Sequence, residues 1–243
     1  RERGCKVLWT SYVDHVERTS GSDVPTGDQD QDKTHLINVR GDIPHVGALT
    51  GYYYYIDNAD VVASSNATAG LRLTGLEDLP RFDVRYTAEF ARQEDTARNP
   101  VSYDANYMML EGAVIVGAFD VGLFWEILGG NSDHVGESFR TPLATFHPFN
   151  GWVDKFITTP QEGLDDKYVK SKAMFGNSVF EVHYHEFEGA DGGKHLGDEW
   201  DFLAGYQFHK RIRADLILGD FDGSDVRYQD TLKAWLQITA SFP

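Results

Sequence analysis

Apolar and polar positions alternate one for one along much of this chain. Between Arg81 and Ala91, Phe82, Val84, Tyr86, Ala88 and Phe90 share one parity, and Arg81, Asp83, Arg85, Thr87 and Glu89 share the other. Successive side chains of a strand point to opposite faces, so the segment predicts a strand with one greasy and one charged side. The rhythm recurs. Residues 69–75 set Ala69, Leu71 and Leu73 against Arg72 and Thr74. Residues 179–187 set Phe180, Val182 and Tyr184 against Glu181, His183 and His185. Phe202, Ala204, Tyr206 and Phe208 oppose Leu203, Gly205 and Gln207, and Ile212, Ala214, Leu216 and Leu218 oppose Arg213 and Asp215. The last segment keeps Leu232, Ala234, Leu236, Ile238, Ala240 and Phe242 on one unbroken parity. Earlier strands are predicted over 7–16, 35–40 and 47–57, with a turn at Gly41–Pro44. The third carries Tyr52 to Tyr55, two tyrosines to each face.

These segments run about 8 to 12 residues, longer than the ~5–6 of an ordinary strand and close to the ~9–11 that cross a bilayer at a tilt. Gly117-Ala118, Gly176-Asn177 and His209-Lys210-Arg211 predict short turns, whereas 129–166, 188–199 and 220–231 are longer and polar. Alternation of short turns with long loops is the habit of membrane barrels. The expected fold is therefore all-β: an antiparallel transmembrane β-barrel of about 12 strands, forming one domain over 1–243 and belonging to a larger barrel. A soluble two-sheet sandwich produces the same alternation with its apolar face buried.

One stretch breaks the rhythm. Residues 141–166, TPLATFHPFNGWVDKFITTPQEGLDD, interleave Phe146, Phe149, Trp152 and Phe156 with His147, Asn150, Asp154 and Lys155. Pro148 and Pro160 stop any long regular element, and Asn150 is placed to cap a single helical turn through Phe156. A long connection this rich in aromatics has neither the composition of disorder nor a reason to lie in water. It is expected to fold inward as part of loop 129–166. The run from His147 to Phe156, followed by Thr159-Pro-x-x-Gly-Leu-x-Asp166, resembles a signature of the alginate-export-type outer-membrane porins. That resemblance implies a β-barrel channel for small or oligomeric solutes. It also implies that His147, Phe149, Asn150, Trp152, Asp154, Lys155 and Phe156 form a pore constriction. Members of that family usually have longer chains, so strands N-terminal to this sequence are expected as well.

Composition narrows the partners. With 38 acidic against 22 basic residues the chain carries a formal charge of −16, which excludes nucleic acid as a partner because that needs a cationic face. A single cysteine, Cys5, rules out an internal disulfide framework. No run of ~18 apolar residues predicts a transmembrane helix, which leaves strands as the only way across a membrane.

Candidate chemistry is thin. His183-Tyr-His185 puts two imidazoles on one strand face beside Glu181, a start towards Zn²⁺ if a third ligand such as His195 joins them. The same pattern describes a polar lumen wall, and no metal or other cofactor is expected. His147 and Asp154 have no nucleophile beside them, and no enzyme activity is expected. The expected role is diffusion of a polar solute, a sugar or oligosaccharide, through an outer-membrane lumen. Arg72, Arg81, Asp83, Arg85, Glu89, Glu181, His183, His185, Arg213 and Asp215 would line its wall. Lipid is the expected surround, and a homo-oligomer or envelope complex stays open as the assembly. The alternatives are a soluble sandwich or cupin-like domain binding sugar or metal, and a structural envelope barrel with a closed pore.

Overall fold

A computed structural model of the chain describes residues 6–13, 16–18, 29–31, 34–143 and 150–241. Among these described residues fourteen strands follow one another, with a single 3-10 turn at Val62–Ser64. They are β1 (Lys6–Val13), β2 (Val16–Arg18), β3 (Gln29–Gln31), β4 (His35–Ile43), β5 (Gly47–Ile56), β6 (Asn66–Asp78) and β7 (Asp83–Asp95). They continue as β8 (Asp104–Val116), β9 (Phe119–Leu128), β10 (Leu164–Phe175), β11 (Ser178–Glu188), β12 (His195–His209), β13 (Ile212–Gly223) and β14 (Thr231–Ala240). Twelve of them form one sheet in the order β1-β4-β5-β6-β7-β8-β9-β10-β11-β12-β13-β14, each paired antiparallel with the next in that order. The remaining two, β2 and β3, pair as a small separate hairpin. Among the described residues β1 and β14 stay unpaired with each other, so the sheet has two edges.

The connections fall into two classes at opposite ends of the strands. Residues 44–46, 79–82, 117–118, 176–177 and 210–211 are tight turns at one end. Residues 57–65, 96–103, 129–163, 189–194 and 224–230 are the longer loops at the other. The strand β4 runs on to Ile43, through the turn expected at Gly41–Pro44, because Gly41 and Asp42 pair with Leu49 and Ala48 of β5. The inserted connection ends at Gly163. Its last three expected residues, Leu164 to Asp166, open β10 by pairing with Leu128, Ile127 and Glu126.

The two faces of the sheet differ. Phe82, Phe202 and Leu216 are 40%, 42% and 49% exposed, and Val84 is half-buried. No second sheet covers that side among the described residues. Outward aromatics form two rows. Phe119 against Phe175 and Tyr206 against Phe208 lie towards the tight turns, and Tyr184 against Trp200 lies nearer the long loops. The buried apolar cluster sits on the other face and at the long-loop end, where Phe139, Val153 and Phe156 of the inserted connection meet Leu128, Leu164, Phe187 and Phe221 of the strands. The core is therefore made by a connection pressed onto the polar-parity side of one sheet, not by two sheets facing each other.

Candidate functional site

The inserted connection crosses the polar face from β7 to β14. At its start Gln93 of β7 accepts from the Arg140 amide (2.7 Å) and donates to the Arg140 carbonyl (2.9 Å), while Phe139 stacks on Tyr107. At its far side Asp154 meets Lys233 of β14 at 3.1 Å, and Lys155 donates to the Gln229 carbonyl (2.7 Å) and to Thr231 (2.6 Å). The helical turn expected after Asn150 is absent. Asn150 (φ 56°), Gly151 (φ 83°) and Asp154 (φ 62°) are in the left-handed region, which breaks the segment into two successive turns. Gly151 is required there: a Cβ would lie 2.6 Å from the Glu199 carboxylate.

These turns point backbone donors at buried acids. The Val153 amide donates to Glu199 (2.7 Å) and the Trp152 amide to Asp201 (3.3 Å), while the Asn150 side chain donates to Glu126 (3.0 Å). The Trp152 ring meets His183 edge-on at 4.8 Å. Phe156, one of the residues expected at a constriction, is buried against Phe187, Phe221 and Tyr228, so it anchors the connection and presents no face to a solute. His147 and Phe149 lie outside the described residues.

The polar face of β5 to β9 is a lattice of paired charges. Arg72 meets Glu89 at 2.7 Å, and Tyr52 reaches across Gly70 to donate to the same carboxylate (2.6 Å). Arg85 bridges Glu111 (2.7 Å) and Asp120 (2.7 Å), and Thr87 donates to Glu111 (2.9 Å). A cleft of about 750 Å³ opens at the tight-turn end of this half, lined in part by Arg40, Arg72, Arg85 and Glu111. Asp83 opens β7 on the same parity, opposite Asp78. Arg81 falls in the exposed 79–82 turn, outside the strand, because β7 begins two residues later than the alternation suggested.

Across β10 to β14 the polar face changes character. Glu181 pairs with Lys172 (2.7 Å) and Lys170 (3.5 Å), and Arg213 with Asp215 (2.6 Å). Deeper under the connection His183, His185, Glu199, Asp201 and Asp166 are all buried. A clamp closes the rim, where Arg227 pairs with Glu162 of the inserted connection and with Asp225 (2.8 Å), which Lys194 also contacts (2.6 Å). The Arg227 guanidinium holds the Glu162 carboxyl below the usual carboxylate range, and Arg227 with Lys194 does the same for Asp225. Sequence reasoning missed Glu111, Asp120, Asp166, Lys170, Lys172, Glu199 and Asp201. For Glu199 and Asp201 the signal was available, since both continue the parity of Leu203, Gly205 and Gln207; no alternation had been read in β8, β9 or β10.

Three crystal structures share this arrangement of strands. Acinetobacter baumannii OccAB4 superposes with a TM-score of 0.64 at 14% identity, over 92% of this chain and 56% of that one. The outer membrane protein OpdK of Pseudomonas aeruginosa gives 0.64 at 13%, over 87% and 57%. The outer membrane protein OprD of the same organism gives 0.62 at 14%, over 86% and 59%. The fold is that of an antiparallel β-barrel, its sheet left open between β1 and β14 among the described residues. This chain spans under two thirds of the length of each of these proteins. No protein-family model matches the chain, and no curated protein matches it in sequence. The alginate-export resemblance of residues 147–166 thus finds no family match, and the similar structures are of the OprD and Occ type instead.

Proposed function

We propose that these strands form the wall of an outer-membrane channel through which a small polar solute diffuses, its lumen narrowed by the 129–163 connection. The observation that carries this reading is the contrast between the two faces. One is apolar, bare and bounded by rows of aromatics, as a lipid-facing band is. The other is charged and partly covered by a connection tied down from β7 to β14. Closure requires that β1 and β14 find partners, since an open sheet edge is not tolerated in hydrocarbon.

The constriction in this reading is made by Asn150, Trp152, Asp154 and Lys155, with Trp152 the half-buried ring that a sugar face can pass. The lumen wall consists of Arg72, Asp83, Arg85, Glu89, Glu181, Arg213 and Asp215, joined by Glu111, Asp120, Lys170 and Lys172, while His183 and His185 of the same face lie buried beneath the connection. The exposed cations are already neutralised by carboxylates. Selectivity then follows rings of mixed charge, which suits neutral or zwitterionic solutes. Export of a polyanion such as alginate would need a cationic lumen, and a chain of net charge −16 does not supply one. The role involves no catalysis.

Single-channel recording in planar bilayers tests the proposal. Discrete conductance is expected, increased by Trp152→Ala. A protein that partitions into detergent yet passes no current would favour the closed structural barrel, and one extracted without detergent would end the membrane reading.

A further inference from the structure

We propose that the wall beneath the Trp152 turn is a binding site for a divalent transition-metal ion of the Zn²⁺ class, with His183, His185 and Asp201 as ligands and Asp166 as the residue that orients His185. The four side chains His183, His185, Glu199 and Asp201 form a block on the covered face. His183 lies directly opposite Asp201, and His185 opposite Glu199, in the register of β11 and β12. Ligand atoms of His183, His185 and Asp201 all fall within 4.8 Å of one another, and all three residues are buried.

Each of these four side chains keeps a buried polar atom with no hydrogen-bond partner among the described residues: Nε2 of His183, Nε2 of His185, Oε2 of Glu199 and Oδ1 of Asp201. One such atom costs roughly 1–3 kcal/mol, so four side by side are not explained as wall chemistry. The local cations offer no relief. Lys170 and Lys172 are engaged by Glu181, Lys233 by Asp154, and Lys155 by Gln229 and Thr231. Three fully buried carboxylates, Asp166, Glu199 and Asp201, therefore share this pocket without a Lys or Arg partner among the described residues.

His185 is held as a ligand would be. Its Nδ1 lies 2.9 and 3.0 Å from the two Asp166 oxygens, which fixes the proton on Nδ1 and leaves the Nε2 lone pair directed at Asp201, 3.8 Å away. A carboxylate behind a histidine is the usual outer support of a metal-bound imidazole. The ring is stacked between Tyr168 (4.4 Å) and Phe187 (5.4 Å), so little side-chain freedom remains to be lost on binding. Two imidazoles and a carboxylate select Zn²⁺ or a neighbouring first-row ion over Ca²⁺ or Mg²⁺, which take oxygen ligands. The third ligand comes from β12; His195, the candidate suggested by sequence, instead meets Asp198 at 3.1 Å. A bound ion would staple β11 to β12. It would also fix Glu199 and Asp201, the acceptors of the Val153 and Trp152 amides, and so hold the inserted turn in place.

The test is titration of Zn²⁺ into chelator-stripped, detergent-purified protein by calorimetry, with Co²⁺ absorption as an independent readout. Neither requires that the chain conduct. One equivalent is expected to bind, with tetrahedral Co²⁺ bands in the visible. Asp201→Asn and His185→Ala should weaken binding by at least about 100-fold, and Asp166→Asn by about 10- to 100-fold. His195→Ala should leave it unchanged. If a ligand variant fails to fold, the Co²⁺ spectrum of the wild type and the milder Asp166→Asn variant still decide. A wild type that binds no stoichiometric Zn²⁺ would overturn the site and leave a shared proton to balance these acids, as would binding that survives Asp201→Asn but is lost in His195→Ala.

Discussion

The two halves of the polar face are built from the same zigzag strands and behave differently. On β5 to β9 Arg72 and Arg85 meet acids on nearby strands, Glu89, Glu111 and Asp120, and the two arginines stay partly exposed. On β12 the acids Glu199 and Asp201 are buried and accept from the Val153 and Trp152 amides of the inserted connection. The first half satisfies its polar groups within the sheet. The second relies in part on a segment from elsewhere that folds onto it. A strand pattern therefore specifies which face is polar, while the connection decides whether that face is a solvated wall or the floor of a site.

Breaking the covered half should have the largest effect. Phe156→Ala removes the ring held among Phe187, Phe221 and Tyr228 and should cost about 3–5 kcal/mol. Protease cleavage at 150–160 should appear before any loss of the sheet. Gly151→Ala should follow at about 1–3 kcal/mol, because a left-handed alanine there also presses on Glu199. Equilibrium unfolding in detergent measures both.

The rim clamp predicts a pH effect of defined sign. Arg227 lowers the Glu162 carboxyl in the folded protein, so the clamp contributes fully above the ordinary carboxylate value near ~4.3. The contribution is lost as pH falls through the lowered folded value. Wild-type protein should therefore release the inserted connection progressively below about pH 4, read as protease sensitivity at 150–163. Arg227→Ala should make that segment sensitive already at neutral pH and flatten the acid dependence. The smallest stability change belongs to the open half. Arg85→Ala breaks partly exposed pairs with Glu111 and Asp120 and should cost about 0–1 kcal/mol. Its expected signature is a shift in ion selectivity instead.

The sheet was legible because a period of two is written residue by residue: the segments 81–91, 179–187 and 212–218 needed no tertiary information. Tight turns such as Gly176-Asn177 and the twelve-stranded count followed from the same signal. The inserted connection was legible only as an exception to that rhythm. Its inward course could be expected from its aromatics, but the burial of Phe156 could not, since the sequence does not say that Phe187 and Phe221 converge on one spot. The helical turn after Asn150 failed for a local reason, the left-handed backbone at Asn150, Gly151 and Asp154. Asp166, Glu199 and Asp201 stand at unremarkable alternating positions. Their weight comes from cross-strand register, which brings them beside His183 and His185.

Everything rests on which face of the sheet meets lipid. Single cysteines introduced into a Cys5→Ser background and probed with a water-soluble maleimide in reconstituted liposomes test this directly. Leu71→Cys, Phe202→Cys, Leu216→Cys and Leu236→Cys should resist labelling until detergent is added, whereas Lys172→Cys and Arg213→Cys should label at once. Equal labelling of both sets in liposomes would contradict a lipid-facing apolar wall around a water-filled lumen.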